Sequence, residues 1–431
     1  MTRFFYFFLT IMLSLSLFVS SSQSIEATDE TEVVDCVPAT GTPIKIGAVF
    51  PTGDLFSTTA AAPYQGVQAI TEAINACGGV NGQPIELIYT PANNRDQAQE
   101  ALEQLHGQVS LIVGSGSPAV SEVLVNASES GDFAYWEVTE PLNQRTEWAF
   151  SPRPTGAQQG EQAAAFLLDD VTTLLNGDDL RLAIIHEDRP RALAVMDGIN
   201  ANPDLKPLIV QHYTNNIPNS YRLAVKLREQ DINAVLVIAF ESDASSFWSD
   251  LRQADANIQA WLQIGDETPR YDNCRHFGVT ALGAAGAVNE DYRKAVMGDL
   301  YTQYRQTYLQ QFNTAPTETA DLAASGFYLL LKQVLPSIVS KGQPLTPSAI
   351  QTALLSQDTA LITGMMSESL VIDSATGLNL EASTQSLIQQ RQEDGFCTLA
   401  PVDAATCTNP LQSLPTWRER AIADAAGRCG R

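Results

Sequence analysis

Basic residues and histidines are scarce in this sequence, and their scarcity excludes several classes of function. Among 431 residues there are 25 Lys and Arg against 49 Asp and Glu, which gives a formal net charge of −24, and there are only four His. A chain of this charge repels phosphate backbones and anionic lipid, so we predict no nucleic-acid partner. The excess carboxylates are expected to form a solvated acidic surface. The apolar fraction of 44% is ordinary for a globular protein and excludes general disorder.

Motifs that carry chemistry are missing as well. The sequence contains no GxSxG nucleophile turn, no GxxxxGK(S/T) phosphate loop, no HExxH and no CxxC. The histidines, His106, His186, His212 and His276, stand apart from one another and from any matching Ser motif. We therefore predict no metal, no cofactor and no enzymatic activity, with a secreted hydrolase as the disfavoured alternative.

Uninterrupted apolar runs of 18 residues, which would predict membrane-spanning helices, are absent after the N-terminus. There, Met1-Thr2-Arg3 precedes the apolar stretch Phe4–Val19 and a segment of small polar residues. This order is typical of a secretory signal peptide, which we place at residues 1–27. The apolar stretch is shorter than the roughly 20 residues that a spanning helix needs, although an uncleaved anchor remains the alternative. We expect a soluble mature protein in the periplasm or another extracytoplasmic compartment.

Export places the six cysteines in an oxidising compartment, where an even number favours disulfides over metal sites. Cys36 precedes the first predicted strand and Cys77 ends the first predicted helix. In a βα unit these two ends lie on the same side of the sheet, so we favour this pairing. Six cysteines permit 15 pairings. The full set that we favour is Cys36–Cys77, Cys397–Cys407, which is local, and Cys274–Cys429, which is what remains.

Strand and helix patterns alternate along most of the chain. The predicted strands are Ile44–Phe50, Ile85–Tyr89, Leu111–Val113, Phe133–Val138, Leu182–His186, Leu208–His212, Ala234–Ala239 and Ala260–Ile264. Helical patterns separate them, and longer ones follow between residues 292 and 355, before short strands near 370–372 and 386–390. Strands that alternate with helices through short loops predict an α/β fold with parallel sheets flanked by helices. Residues 402–431 show no clear period and predict a Cys-containing C-terminal tail.

Polar groups follow several of these strands. The loop Gly114–Ser117 ends a strand and opens a helix, where free N–H groups and two hydroxyls suit an anion such as a carboxylate. The alternative is that Ser117 only caps its helix. Glu137 and the pair Asp266 and Glu267 end strands at the edge where open α/β sheets bind ligands. For each of these carboxylates, ordinary solvation is the alternative.

Nine segments of the sequence follow one another in the order found in a known family. They are Ile44–Gly53, Gly66–Gly82, Ile112–Ser117, Tyr135–Val138, Phe150–Gly160, Ala183–His186, Ser220-Tyr221, Tyr304–Tyr308 and Leu387–Gln390. Over about residues 44–401 the chain thereby resembles type I periplasmic binding proteins of the leucine/isoleucine/valine-binding group. These are the substrate-binding subunits of branched-chain amino acid ABC transporters.

The resemblance implies a two-lobed fold that closes over its ligand. Three crossover segments would join the lobes, each a parallel sheet flanked by helices. Lobe one would comprise about residues 44–155 plus 288–368, and lobe two about 156–287 plus 369–401. The expected function is to capture a small polar ligand, an amino acid or a related compound, and to deliver it to the permease subunits of an ABC importer. We expect a monomer. A ligand-sensing subunit of a signalling receptor, which uses the same fold, is the alternative.

The resemblance also implies a set of ligand-binding positions. They are Ser115, Gly116, Ser117, Glu137, Thr139, Arg191, Asp266 and Glu267. In the family, the positions matching Ser115 to Ser117 hold the ligand's carboxylate, and the position matching Glu267 holds its ammonium group. A zwitterion needs such fixed partners because its desolvation is costly. The acid at Glu137 and the basic residue at Arg191 depart from the family pattern and favour a more polar ligand than leucine.

Overall fold

The structure is a computed structural model of the whole chain. It describes residues 36–52, 58–139, 141–142, 146–214, 216–239, 241–264, 277–283, 294, 297–355, 361–362, 369–370, 386–392, 395–400 and 405–425. Four predictions lie outside the described residues: the signal peptide at 1–27, the Cys274–Cys429 pairing, and the roles of Asp266 and Glu267.

Helices and strands alternate as the sequence pattern predicts. The first part of the chain contains β1 (Ile44–Phe50), α1 (Ala62–Ala76), β2 (Ile85–Pro91), α2 (Arg95–Leu105), β3 (Leu111–Gly114), α3 (Pro118–Ser128), β4 (Ala134–Glu137) and β5 (Ala149–Phe150). The next part contains α4 (Gly156–Phe166), β6 (Leu182–Glu187), α5 (Pro190–Asn200), β7 (Ile209–Tyr213), α6 (Ser220–Glu229), β8 (Ala234–Ile238), α7 (Glu241–Gln253), β9 (Ala260–Ile264) and β10 (Val279–Leu282). The last part contains α8 (Asp299–Phe312), α9 (Glu318–Leu329), α10 (Pro347–Leu355), β11 (Leu361–Ile362), β12 (Ser369–Leu370), β13 (Ile388–Gln392), β14 (Gly395–Ala400) and α11 (Trp417–Ala425).

The first sheet is parallel throughout and has the strand order β2-β1-β3-β4-β5. Its central strand β1 is apolar on both faces, as expected of a strand with helices on either side. One face carries a core cluster that includes Phe50, Trp136, Tyr304 and Phe327, so α8 and α9 pack on this sheet although they come much later in the chain. The other face packs against α2 and α3.

The second sheet has the order β14-β13-β10-β9-β8-β6-β7. Strands β7, β6, β8, β9 and β10 are parallel, whereas β13 pairs antiparallel with both β10 and β14. The predicted α/β fold with parallel sheets is therefore confirmed, with an antiparallel hairpin added at one edge of this sheet. The pattern analysis missed β5, β10 and β14, which are short or contain residues with weak strand preference.

Two close helix crossings rest on glycine. In α1, a Cβ added to Gly66 would lie 2.1 Å from the carbonyl oxygen of Ala320 in α9. Between α4 and α5, a Cβ on Gly160 would lie 2.0 Å from the carbonyl oxygen of Val195. At these positions a side chain would collide with a neighbouring backbone, so the helices can approach this closely only because glycine has no Cβ.

Among the described helices, one run is long and apolar enough to cross a membrane by length and composition, Glu318–Val339. It comprises α9, a π-helical segment Leu330–Val334 and a short helix Leu335–Val339. Of its most apolar window, 72% is buried inside the protein, and its side chains belong to the core cluster of the first sheet. Its position in the protein is that of a core helix.

Two of the predicted disulfides are present, Cys36–Cys77 and Cys397–Cys407, with Cα–Cα distances of 4.6 Å and 4.9 Å. The first ties the segment before β1 to the end of α1, which supports the argument that these ends share one side of the sheet. The second joins β14 to the start of the C-terminal tail.

The C-terminal tail is held by more than its disulfide. It contains helix α11, which the sequence pattern did not indicate. The indole N–H of Trp417 donates to the carbonyl oxygen of Ala256 at 2.8 Å. The guanidinium of Arg420 lies over the rings of Trp248 and Trp417, 5.0 Å and 5.2 Å from their centroids. Burial lowers the pKa of Arg420 to about 10. The tail is thus packed onto the second sheet's helical layer.

We predict that the two disulfides stabilise the fold unequally. Cys36–Cys77 closes a loop with a sequence separation of 41, against 10 for Cys397–Cys407. The chain-entropy estimate then gives about 4 kcal/mol for the first and about 3 kcal/mol for the second. Paired Cys→Ser variants, compared by urea unfolding without reductant, should rank in this order, and the reverse order would contradict the loop-length argument.

We also predict that Gly160→Ala destabilises the protein by about 1–3 kcal/mol, because its methyl group would force α4 and α5 apart. Helix propensity alone would favour alanine by about 1 kcal/mol, so the sign of the change separates the two effects. Glu161→Ala, at an exposed position of the same helix, is the matched control and should change the unfolding free energy little. A Gly160→Ala protein that melts at or above the wild-type temperature would refute the packing argument.

Candidate functional site

Most of the predicted ligand-binding residues lie at the carboxyl ends of parallel strands. Residues 115–117 follow β3, Glu137 is the last residue of β4, and Thr139 comes two residues later. Because β3 and β4 are neighbours, with Gly114 paired to Glu137, these residues come together at one edge of the first sheet. Arg191 belongs to the second sheet's side, in the first turn of α5 after β6. This is the edge at which open α/β sheets bind ligands.

The carboxyl group of Glu137 lies at the centre of this edge and is completely buried. Its Oε1 accepts the backbone N–H groups of Ser115 at 3.0 Å and Thr139 at 2.9 Å, and the Thr139 hydroxyl at 3.0 Å. A group that accepts from several donors in this way behaves as an ionised carboxylate does. The alternative of an ordinary solvated carboxylate is wrong for Glu137.

Tyr135 completes this arrangement, and the sequence analysis did not identify it. Its hydroxyl donates to Oε2 of Glu137 at 2.6 Å. Burial, and then the nearby charge of Glu137, raise the pKa of Tyr135 well above its usual value, so the hydroxyl stays protonated and remains a donor. The two side chains are two residues apart on one strand and therefore share a face, which is a signal that the sequence contained.

The loop after β3 uses its own N–H groups internally. The N–H of Gly116 donates to the Thr139 hydroxyl oxygen at 2.9 Å, and the N–H of Ser117 donates to Oγ of Ser115 at 3.2 Å. Gly116 has a φ of +73°, and a Cβ there would lie 2.8 Å from Pro63. Glycine is therefore required both by the backbone conformation and by the space available. With Ser115 bonded to Glu137, all three loop N–H groups have acceptors within the protein.

Ser117 is the half-exposed residue that precedes α3. It occupies the N-cap position, but its side chain makes no capping hydrogen bond. Among the described residues its hydroxyl has no hydrogen-bond partner. This geometry does not support the alternative that Ser117 serves to cap the helix, and it leaves the hydroxyl available at the sheet edge.

The corresponding edge of the second sheet is rich in charge. Nε of Arg189 lies 3.2 Å from Oε2 of Glu187, and Nδ1 of His212 lies 3.0 Å from Oδ2 of Asp188. Arg191, next in the chain, is half-buried. Its carbonyl oxygen would lie 3.0 Å from a Cβ on Gly156, where relatives that resemble the chain often carry Asp. Glycine here lets the start of α4 pack against α5.

Arg153 is a second buried residue that the sequence analysis missed. It is 2% exposed, and its Nη2 donates to the carbonyl oxygen of Gly283 at 3.1 Å. This bond joins the segment after β5 to the segment after β10, and so it connects the chain leaving one sheet with the chain leaving the other. The signal in the sequence was an arginine between two prolines, directly after the apolar pair of β5.

Within the part of the chain that the structure describes, no group of three His, Cys, Asp or Glu side chains is arranged to hold a metal ion. The polar groups at the two sheet edges are hydroxyls, carboxylates and guanidinium groups. Chemically, this arrangement offers hydrogen bonds and charge to a small polar molecule.

Similar proteins share this architecture. Leu/Ile/Val-binding protein homolog 8 of Brucella abortus is 22% identical over 272 residues, which cover 61% of this chain and 65% of that protein. The chain thus spans about two thirds of the length of this curated relative. The Streptococcus pneumoniae branched-chain amino acid transporter substrate-binding protein LivJ, solved with isoleucine, has a TM-score of 0.62 at 14% identity, with 84% of this chain and 100% of that chain covered. A Rhodopseudomonas palustris solute-binding protein, solved with 3,4-dihydroxybenzoic acid, has a TM-score of 0.61 at 15% identity, with 84% and 98% covered.

The two solved structures show a shared fold, and their ligands differ widely from each other. The sequence profile described as periplasmic binding protein matches residues 43–371, which is more than half of the chain. The chain belongs to the periplasmic binding protein family.

Proposed function

We propose that this protein is an extracytoplasmic solute-binding protein. It captures a small polar ligand, an amino acid or an amino-acid-like compound, and passes it to the permease subunits of an ABC importer without chemical change. The observation that carries the proposal is the family match over residues 43–371, together with polar strand ends on two separate sheets. Export through a cleaved signal peptide at residues 1–27 and a monomeric state belong to the same proposal.

The ligand would be enclosed between two lobes. Lobe one comprises about residues 44–155 plus 288–368, and lobe two about 156–287 plus 369–401. Two observations support this division. Helices α8 and α9 share an apolar cluster with the first sheet, and the hairpin β13–β14 extends the second. The buried hydrogen bond from Arg153 to Gly283 lies where two of the connecting segments would run side by side.

The proposed contacts come from both lobes. In lobe one, Ser117 offers its hydroxyl, while Ser115, Gly116, Glu137 and Thr139 form the hydrogen-bonded layer that holds the loop in place. In lobe two, we assign contacts to Arg191 and, on the basis of the family resemblance, to Asp266 and Glu267, with Glu267 holding an ammonium group. The acidic pair would supply the charge that a cationic group needs once it leaves water.

The proposal predicts that a small polar compound stabilises the protein. A thermal-shift screen of amino acids, their amides, urea and small carboxylates should identify at least one class that raises the melting temperature. At 100 times its dissociation constant, a bound ligand adds about 2.7 kcal/mol to the unfolding free energy. A screen in which none of these compounds raises the melting temperature would contradict the proposed ligand class.

Ser117→Ala should weaken binding of the compound found in that screen about ten- to a hundred-fold, because a hydrogen bond to a charged or polar ligand group is lost. Stability should change little, since the side chain makes no capping bond. The matched control is Asn94→Ala in α2. Asn94 is an N-cap residue whose side chain does accept the N–H of Gln97, at 3.0 Å. It should lose about 1 kcal/mol of stability and keep its affinity. Calorimetry and melting on both variants test this, and a Ser117→Ala protein with wild-type affinity would remove Ser117 from the site.

A further inference from the structure

The loop between β3 and α3 has few donors left for an anion. A ligand carboxylate needs several N–H or O–H groups once it leaves water. Here the N–H groups of Ser115 and Thr139 are bound to Glu137, and those of Gly116 and Ser117 are bound to the hydroxyl oxygens of Thr139 and Ser115. The Ser115 hydroxyl donates to the carbonyl oxygen of Ser117 at 2.8 Å. The acceptor that a ligand carboxylate would provide is already part of the protein.

Charge acts in the same direction. The Glu137 side chain is fully buried directly beneath the loop, and no basic side chain is among its recorded hydrogen-bond donors. Two like charges a few ångströms apart repel strongly in a site from which water is excluded. A second carboxylate at this loop would therefore meet both a shortage of donors and an opposing charge.

We propose that Glu137 is a specificity-determining residue that makes lobe one reject a carboxylate and accept a neutral or cationic group in its place. The groups left at the loop fit this assignment. The half-exposed Ser117 offers a hydroxyl, and the half-exposed Gly116 offers a carbonyl oxygen that accepts no hydrogen bond from the described residues. Both can accept an N–H from an amide or an amine. The inference rests on the proposed function and narrows the ligand class to amides, amines and related compounds without a carboxylate at this end.

The test uses matched pairs that differ only at the carboxyl end. L-leucine is compared with L-leucinamide, and L-serine with L-serinamide, by calorimetry on the intact exported protein. Wild type should bind the amide of a pair at least ten-fold more tightly than the acid. Glu137→Gln keeps the shape of the side chain and removes its charge, and it should reduce this preference at least ten-fold. Wild type that binds the acid as tightly as the amide, or a Glu137→Gln variant with an unchanged preference, would overturn the proposal.

Glu129→Gln is the matched control. Its carboxylate also accepts two backbone N–H groups, those of Glu147 at 3.0 Å and Trp148 at 3.3 Å, but it lies at the far end of α3. The acid-to-amide preference should remain at the wild-type value in this variant, and a change equal to that of Glu137→Gln would overturn the proposal. If Glu137→Gln does not fold, the wild-type preference alone decides.

A further arm separates this inference from the proposed function. If neither pair binds, the amino-acid class is wrong, and acetate and acetamide then serve as probes at high millimolar concentration. The backbone amide signals of Gly116 and Ser117 are followed by nuclear magnetic resonance. Acetate should shift these signals in Glu137→Gln and not in wild type. No gain of acetate binding in Glu137→Gln would overturn the assignment of Glu137 even though the ligand is unknown.

Discussion

A completely buried carboxyl group must find donors inside the protein, and this requirement shapes the edge of the first sheet. Glu137 satisfies it with the backbone N–H groups of Ser115 and Thr139, the Thr139 hydroxyl and the Tyr135 hydroxyl. Each of these bonds fixes a different piece of chain. Two strand ends, one loop and the start of a helix are held in one arrangement by a single side chain.

The two α/β sheets make this arrangement useful for binding. In parallel sheets all strands end at the same edge, so polar residues that are distant in the chain gather there without disturbing the core. The sheets themselves are built for rigidity. Their faces are covered by helices that pack closely through Gly66 and Gly160, and the chain before β1 and after β14 is held by disulfides. The connection through Arg153 and Gly283 links segments that leave the two sheets.

Many of the elements could be predicted because their signals are local. Strands β1 and β9 and helix α10 have the bounds that periodicity and flanking prolines or turn residues indicate. Other elements depend on distant partners. Strand β5 consists of two residues that become a strand only by pairing with β4, and β14 exists because β13 lies beside it. Helix α11 has no strong apolar period, and its helical fold is supported by the packing of Trp417 and Arg420 against Trp248.

The site shows the same division. Loop 114–117 and the strand end at Glu137 could be located from the sequence, since glycines, hydroxyls and an acid follow apolar strands. Their mutual hydrogen bonds could not, because residues 115 and 137 are brought together only when β3 and β4 pair in register.

By itself, the sequence determined the α/β class, the order of most strands and helices and the identity of the polar residues at the strand ends, all of which follow from patterns of neighbouring residues. Only the tertiary structure decided that the carboxylate of Glu137 occupies the N–H groups of the loop. That outcome depends on burial and on the distance between two strand ends, which no local pattern of residues contains.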